Sequence, residues 1–597
     1  MQFKRWKSHA LSAMLLLVMT PNLKSDDLAT RRQALERLLD EQWQYTLRES
    51  PEFATIIGDY RYNDKLSDAS LAHVEQQRKD SEAFLKRFEA IDTAGFPEQE
   101  ILNSQLMVRN LKENLEVIAL KLYLMPVDQF NGVQIGLAQF VPLIPFDTAK
   151  QYQDYISRLH QVPRLIDQVI QTLQEGKRNR LMPPKFLLEK VVSQAQSIAQ
   201  PVGEANVFGL PAIKFPAAIP LADQKSLHDA VLKAVDTEVR PAYSKLADFV
   251  AKEYAPYGRA QPGVWSLPNG DALYRFAVKQ QTTTSMDPQA IHELGLKEVA
   301  RIHLEMLAIA KQEGFSDRRS FQESLKTNPK LIPASRDDIL NTYRGYIAGM
   351  QPELPKLFGL LPKTKVEVRP VQEYREKEAA AAEYNQGTPD GSRPGIVYVN
   401  TGDYAHRTKM SIESTSYHEA IPGHHMQISI AQTLPGLPPF RQQANYTGYV
   451  EGWALYSERL GKDIGFYKDP LSDYGRLSDE LLRACRLVLD TGVHYKHWTR
   501  EQMINYFREN SGEDEPDIQA ETDRYIVTPG QALAYKLGQL KILELRSLAK
   551  KELAAKYDIR AFHDEILDGG ALPLDMLEAR TMAWIQAVKA GTAPAHP

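Results

Sequence analysis

The chain has 597 residues, a formal net charge of −4 and a sequence pI of about 6.4. Hydrophobic residues make up 43% and charged residues 25%, the balance of a folded globular chain rather than a disordered or fibrous one. Near-neutral charge without a long basic run excludes a general electrostatic partner such as nucleic acid, and a single cysteine, Cys485, excludes an intramolecular disulfide.

Lys4, Arg5 and Lys7 precede an apolar run from Ala10 to Met19. That run is shorter than the ~20 residues a membrane-spanning helix needs. A basic flank and a short apolar core read as a secretory signal peptide over residues 1–25, cleaved near Ser25. No second long apolar run follows, so the mature chain is expected to be periplasmic or secreted, with no stable membrane anchor. Cys485 is too far from the signal region to carry a lipid anchor. It sits in "LLRACRLVLD", an apolar helical setting that points to a buried thiol.

The rest is expected to be mainly α. Helical periodicity runs through 29–47, 69–90, 99–123, 149–175, 183–199 and 226–254. Proline-rich 208–223 and then 260–271 read as connectors. In "IHELGLKEVARIHLEMLAIA" apolar residues fall at 291, 294, 299, 302, 306 and 309, and Asp287-Pro288 supplies a cap and a first-turn proline. A helix is expected over 336–350. "KVEVRPV" (365–371) and "GIVYVN" (395–400) read as strands around a turn-rich stretch, giving one small antiparallel β-sheet. Further helices are expected over 475–495, 500–509 and 531–555. No period of 20–50 residues recurs, which excludes a solenoid array. The expected division is a signal peptide, an N-terminal helical region over 26–260 and a catalytic region over 261–597.

"SYHEAIPGHHMQ" (Ser416 to Gln427) holds three of the 14 histidines. It resembles H-E-x-x-H, which places two imidazoles on one helix face with a glutamate beside them. Here His418-Glu419 is followed by His424 and His425. On a regular helix a step of six turns the side chain through ~240°, and a step of seven separates the pair by ~10 Å. Pro422-Gly423 lies where that spacing problem has to be solved, because proline interrupts a helix and glycine tolerates unusual backbone angles. A break there is expected to bring His424 to the second ligand position.

A third ligand is expected from "YVEGWALYSERL" (449–460). Glu451 and Glu458 are seven apart and share a face. One can ligate zinc, and the other can orient a ligand or bind a substrate amine. Tyr449, Val450, Trp453, Ala454 and Leu455 make an apolar setting around Glu451, in which a carboxylate wants a cation. The expected zinc ligands are His418, His424 and Glu451, with His425 and Glu458 as alternates. Glu419 is the expected general base.

"HEAIPGHHMQ" followed by "EGWALYSE" resembles the bacterial uncharacterised-domain family 885, placed among the gluzincin metallopeptidases. "LDTGVHYKHWT" (489–499) and "RYIVTPGQALAYKLG" (524–538) extend the likeness. The resemblance implies a large helical zinc-peptidase body with a deep cleft, broadly like thimet oligopeptidase, carboxypeptidase Taq and angiotensin-converting enzyme. Dipeptidyl peptidase III carries one extra residue in its zinc motif, and the two extra residues here depart from that pattern too.

The expected activity is hydrolysis of peptide bonds, in short peptides, by a glutamate-activated zinc-bound water. Another metal-dependent amide hydrolase and a metal-free peptide-binding pseudoenzyme are the alternatives. A tetrahedral oxyanion needs donors beyond the metal, for which Tyr525, Tyr535 and His494 are the expected side chains, with Gln531 as a further candidate. Peptide substrates are expected to add as a strand along 394–400.

Overall fold

The computed structural model describes residues 23–592 except 374–375 and 377–378. The expected signal peptide lies outside the described residues, save for its last three positions. The fold is mainly helical, with one three-stranded sheet. No helix among the described residues is long and apolar enough to cross a membrane.

Helices begin where the sequence supplies caps. Asp287 accepts from the Gln289 amide at 2.9 Å and Pro288 opens the helix Pro288–Gln312. Ile291, Val299, Ile302 and Met306 form its buried stripe, each side chain worth about 1.5–3 kcal/mol of burial. That stripe packs on the helix Pro470–His494 so closely that a Cβ at Gly295 would lie 2.7 Å from Leu487 Cβ.

Two helical runs differ from expectation. Residues 149–175 are two helices, Ala149–Leu159 and Val162–Arg178, because Pro163 has no amide to continue the first. The run 226–254 begins earlier, at Leu221, and contains two wide π turns, Val235–Val239 and Val250–Tyr254. The connector 208–223 therefore ends inside a helix. The connector 260–271 likewise runs into the helix Gly270–Thr282.

The sheet is mixed, which corrects the antiparallel expectation. β1 (Val366–Pro370) pairs in parallel with β3 (Gly395–Val399). β2 (Ala382–Asn385) pairs antiparallel with the other side of β3. The turn-rich stretch before Gly395 thus joins β2 to β3, not β1 to β3. β3 is the central strand, so a peptide cannot add to it as an edge, and that expectation is withdrawn.

One apolar core joins the N-terminal helices to the histidine segment. It runs from Leu35, Leu106 and Met107 through Ile347, Tyr417 and Trp453 to Ile542 and Ile585. A second core lies within residues 66–255, and a third surrounds the helix Pro470–His494. Cys485 is fully buried there, and burial pushes its thiol pKa upward.

Candidate metal centre

The motif is two helices with a break between them. The first, Ile412–Glu419, stops after the His-Glu pair, and the second, His424–Thr433, starts on a histidine. Ala420 leaves the helix at φ −103° and ψ −100°, the Ile421-Pro422 peptide is cis, and Gly423 sits at φ −80° and ψ −131°. Gly423 passes so close to the first helix that a Cβ there would lie 1.9 Å from the His418 carbonyl oxygen. The Met426 amide donates to the Ala420 carbonyl at 3.3 Å and reconnects the two helices.

A third helix, Thr447–Asp463, clamps this break. Trp453 Nε1 donates to the Pro422 carbonyl at 2.9 Å, and Ser457 Oγ donates to the same oxygen at 3.3 Å. That helix packs backbone to backbone on the helix Gln531–Leu553, where a Cβ on Gly452 would lie 2.4 Å from Gly538 Cα. Glu451 is therefore carried by an element fixed on both sides.

The outcome is a group of donors, two buried histidines and a partly buried glutamate. His418, His424 and Glu451 offer ligand atoms that all lie within 4.8 Å of one another. Glu451 Oε2 is 3.7 Å from His418 Nε2 and 3.5 Å from His424 Nε2. Those separations are too long for hydrogen bonds. They approach the ~3.3 Å between neighbouring ligands of a tetrahedral shell with bonds of about 2.0–2.1 Å. Two imidazoles and one carboxylate are a donor set suited to zinc with one open position. Behind His418, its Nδ1 pairs with Glu458 Oε1 at 2.8 Å, so that Nε2 faces Glu451. Glu458 thus holds the His418 ring from the side away from Glu451.

The electrostatics ask for a cation. Burial opposes charge on His418, but the carboxylates of Glu451 and Glu458, with Glu419 beyond them, pull its pKa up to about 10. Burial likewise opposes charge on Glu451, and the two histidines hold it well below the carboxylate range. Burial raises the pKa of Glu419, countered by His418 and His424. Three carboxylates around two imidazoles hold a proton that a dication can replace.

His425 points elsewhere. Its Nδ1 meets Tyr384 Oη at 3.0 Å and its Nε2 meets the Thr364 carbonyl at 3.1 Å, so it ties the second motif helix to the sheet. Burial lowers its pKa to about 4. Gly395 on β3 faces this pair, and a Cβ there would lie 2.7 Å from His425 Nδ1.

The expected oxyanion donors are unequal. Tyr525 Oη donates to Glu521 Oε2 at 2.6 Å and accepts from Arg486 Nε at 2.8 Å, so its proton is committed. His494 Nδ1 accepts from the Val264 amide at 3.2 Å and its Nε2 donates to the Tyr525 carbonyl at 2.9 Å. Both nitrogens are spent and burial lowers its pKa to about 3, so His494 is fixed between Val264 and Tyr525. Tyr535 Oη accepts from Gln531 at 3.2 Å and Arg524 at 3.4 Å, and its own proton has no acceptor among the described residues. Sequence reasoning passed over Arg483, whose charge acts on Glu419, Glu458 and Tyr535. The available signal was a charged residue in the apolar run "LLRACRLVLD".

Fold and site together define a mainly helical protein in which two buried histidines on a broken helix meet a partly buried glutamate from a third helix. The chain belongs to the family described as "Bacterial protein of unknown function (DUF885)", which it matches over residues 51–581. It is similar to the structure of the "putative lipoprotein from Colwellia psychrerythraea", with a TM-score of 0.88 and 30% identity over 93% of this chain and 99% of that one. A "putative lipoprotein of unknown function from Shewanella oneidensis" shares the fold, with a TM-score of 0.69 and 18% identity over 92% of this chain and 99% of that one. No curated protein matches the chain.

Proposed function

We propose that this protein is an exported zinc-dependent peptidase of the gluzincin type, acting on short peptides held in a cleft over the cluster. The observation that carries the reading is the convergence of His418, His424 and Glu451, with Glu419 beside them and Glu458 behind His418. His418, His424 and Glu451 would hold the ion. Zinc, when bound, supplies a Lewis acid that polarises a carbonyl and lowers the pKa of water.

The chain's own groups have separable tasks. Glu419 takes a proton from the attacking water and returns it to the leaving amine. Burial raises its pKa, which favours a group that takes up a proton. Glu458 keeps the His418 ring in one tautomer. Tyr535 offers its free hydroxyl proton to the developing oxyanion. Export agrees with the words "putative lipoprotein" in the name of the similar Colwellia psychrerythraea structure.

The test is metal analysis of the purified protein together with a peptide-library digest, on wild type and on Glu419→Gln. One zinc per chain in both proteins, with turnover lost only in the variant, is the expected result. A wild type that takes up no metal yet binds peptides would replace this reading with a metal-free binding protein.

A further inference from the structure

We propose that Arg483 receives the free terminal carboxylate of a peptide and so restricts this centre to peptides bound by their C-terminal end. This rests on the peptidase reading above and names its substrate class.

Arg483 lies on the helix Pro470–His494, with its side chain 16% exposed. Its Nη1 donates to the Asp479 backbone carbonyl at 3.1 Å. The Asp479 carboxylate is 3.9 Å away, beyond hydrogen-bond reach, and is engaged by Ser414 Oγ. Nε of Arg483 is buried with no acceptor. A buried cationic donor without a partner is costly, and an incoming acceptor recovers that cost.

The other arginines of the same helix face contrast with it. Arg476 is held by Asp473 at 2.8 Å and Glu480 at 3.1 Å. Arg486 is held by Tyr525 and Glu521, each at 2.8 Å. Of the three, Arg483 is the one with no carboxylate within hydrogen-bond distance among the described residues, its nearest being Asp479 at 3.9 Å.

Its position matches a substrate end. The helix that carries it packs against both the first motif helix and the helix bearing Tyr535. Arg483 feels the charges of Glu419 and Glu458, yet no ion pair within 4 Å joins it to either among the described residues. An anion arriving beside Glu419 therefore meets a guanidinium whose Nε has no acceptor and whose nearest carboxylate among the described residues is 3.9 Å away. That group matches a carboxylate in planar, two-point fashion. The carboxylate could come from the chain terminus or from an acidic side chain. The terminus is chosen because Arg483 lies on the helix packed against the first motif helix and its charge acts on Glu419, so a chain anchored there would end on the side of the centre.

The experiment uses the full chain carrying Glu419→Gln, so that ligands survive. Calorimetry compares trialanine, trialanine amide and the amide of Ala-Asp-Ala. Trialanine is expected to bind at least about 10-fold more tightly than either amide. Adding Arg483→Gln should erase that difference by weakening trialanine alone, and Arg483→Lys should erase it in part. Equal affinity for trialanine and its amide, or a difference that survives Arg483→Gln, overturns the inference. Tight binding of the Ala-Asp-Ala amide overturns it in favour of a side-chain site. If Arg483→Gln does not fold, the comparison of ligands with Arg483 intact still decides. An Arg483-dependent preference in a wild type that cleaves nothing would keep this inference and remove the peptidase reading. Equal cleavage of trialanine and its amide would do the reverse.

Discussion

His424 and His425 are neighbours in sequence, and a helix turns successive residues by about 100°, so only one of them can face Glu451. The ring of His424 lies 4.8 Å from that of His418, centroid to centroid, while His425 bonds to Tyr384 and Thr364. His424→Ala should therefore lose stoichiometric zinc. His425→Ala should keep it and cost about 1–3 kcal/mol of stability, through the partner groups it leaves unpaired. Metal content and urea unfolding of the two variants read these effects separately. Glu458→Gln should retain the fold and weaken zinc by about 10–100-fold, because it acts only through the orientation of His418. The residue types of the centre were legible in the sequence, as ligand chemistry plus an apolar setting. The sequence favoured His424 over His425 from the Pro422-Gly423 break, and backbone angles at residues 420–423 set which of the two joins the cluster. Arg483 was missed because nothing in the sequence separates it from Arg476 and Arg486 on the same helix, and only their partners in the fold do.

The break between the two motif helices is an element in its own right, and it depends on the absence of a side chain. A methyl group on Gly423 would meet the carbonyl oxygens of His418 at 1.9 Å and Tyr417 at 2.3 Å. Neither oxygen can withdraw without moving the helix that carries His418 and Glu419. Gly423→Ala should thus displace His424 and reduce zinc content, whereas Gly345→Ala, where nothing lies within 4 Å, should leave it unchanged. Metal analysis of both variants checks the pair. At this scale the helices were well marked, because capped apolar stripes such as Asp287 to Met306 follow one period. The sheet was half legible. Val366–Pro370 and Gly395–Val399 carry β-branched residues, but "AEYN" is short and polar, so β2 and with it the true pairing stayed hidden. Gly452 and Gly538 lie where two helices touch, with no side chain between the backbones.

For the molecule as a whole, neutral buried histidines set a response to acid. His494 and His563 are each lowered to about 3 by burial, against an ordinary value near 6.5. Both are hydrogen-bonded as neutral rings: His494 between Val264 and Tyr525, His563 between Tyr456 and the Leu357 carbonyl. The unfolded chain binds protons at these sites where the folded chain does not. Their contribution is complete above about pH 6.5 and declines as pH falls toward 3. Between those limits each site gives a slope of about 1.4 kcal/mol per pH unit. Buried acids act in the opposite sense. Asp479 is raised to about 6, Asp490 to about 7 and Glu513 to about 8, chiefly by burial, so folding is penalised as pH rises through these values. The net slope of the wild type is a difference of these terms. A single substitution isolates one of them. In His494→Gln, the dependence of unfolding free energy on pH between about 4.5 and 6 should fall by about 1.4 kcal/mol per unit relative to wild type, whatever the variant's absolute stability. Urea titrations at three pH values in that window measure it. An unchanged slope would mean that His494 is charged in the folded protein, which would free it from the Val264 amide and return it to the list of candidate donors.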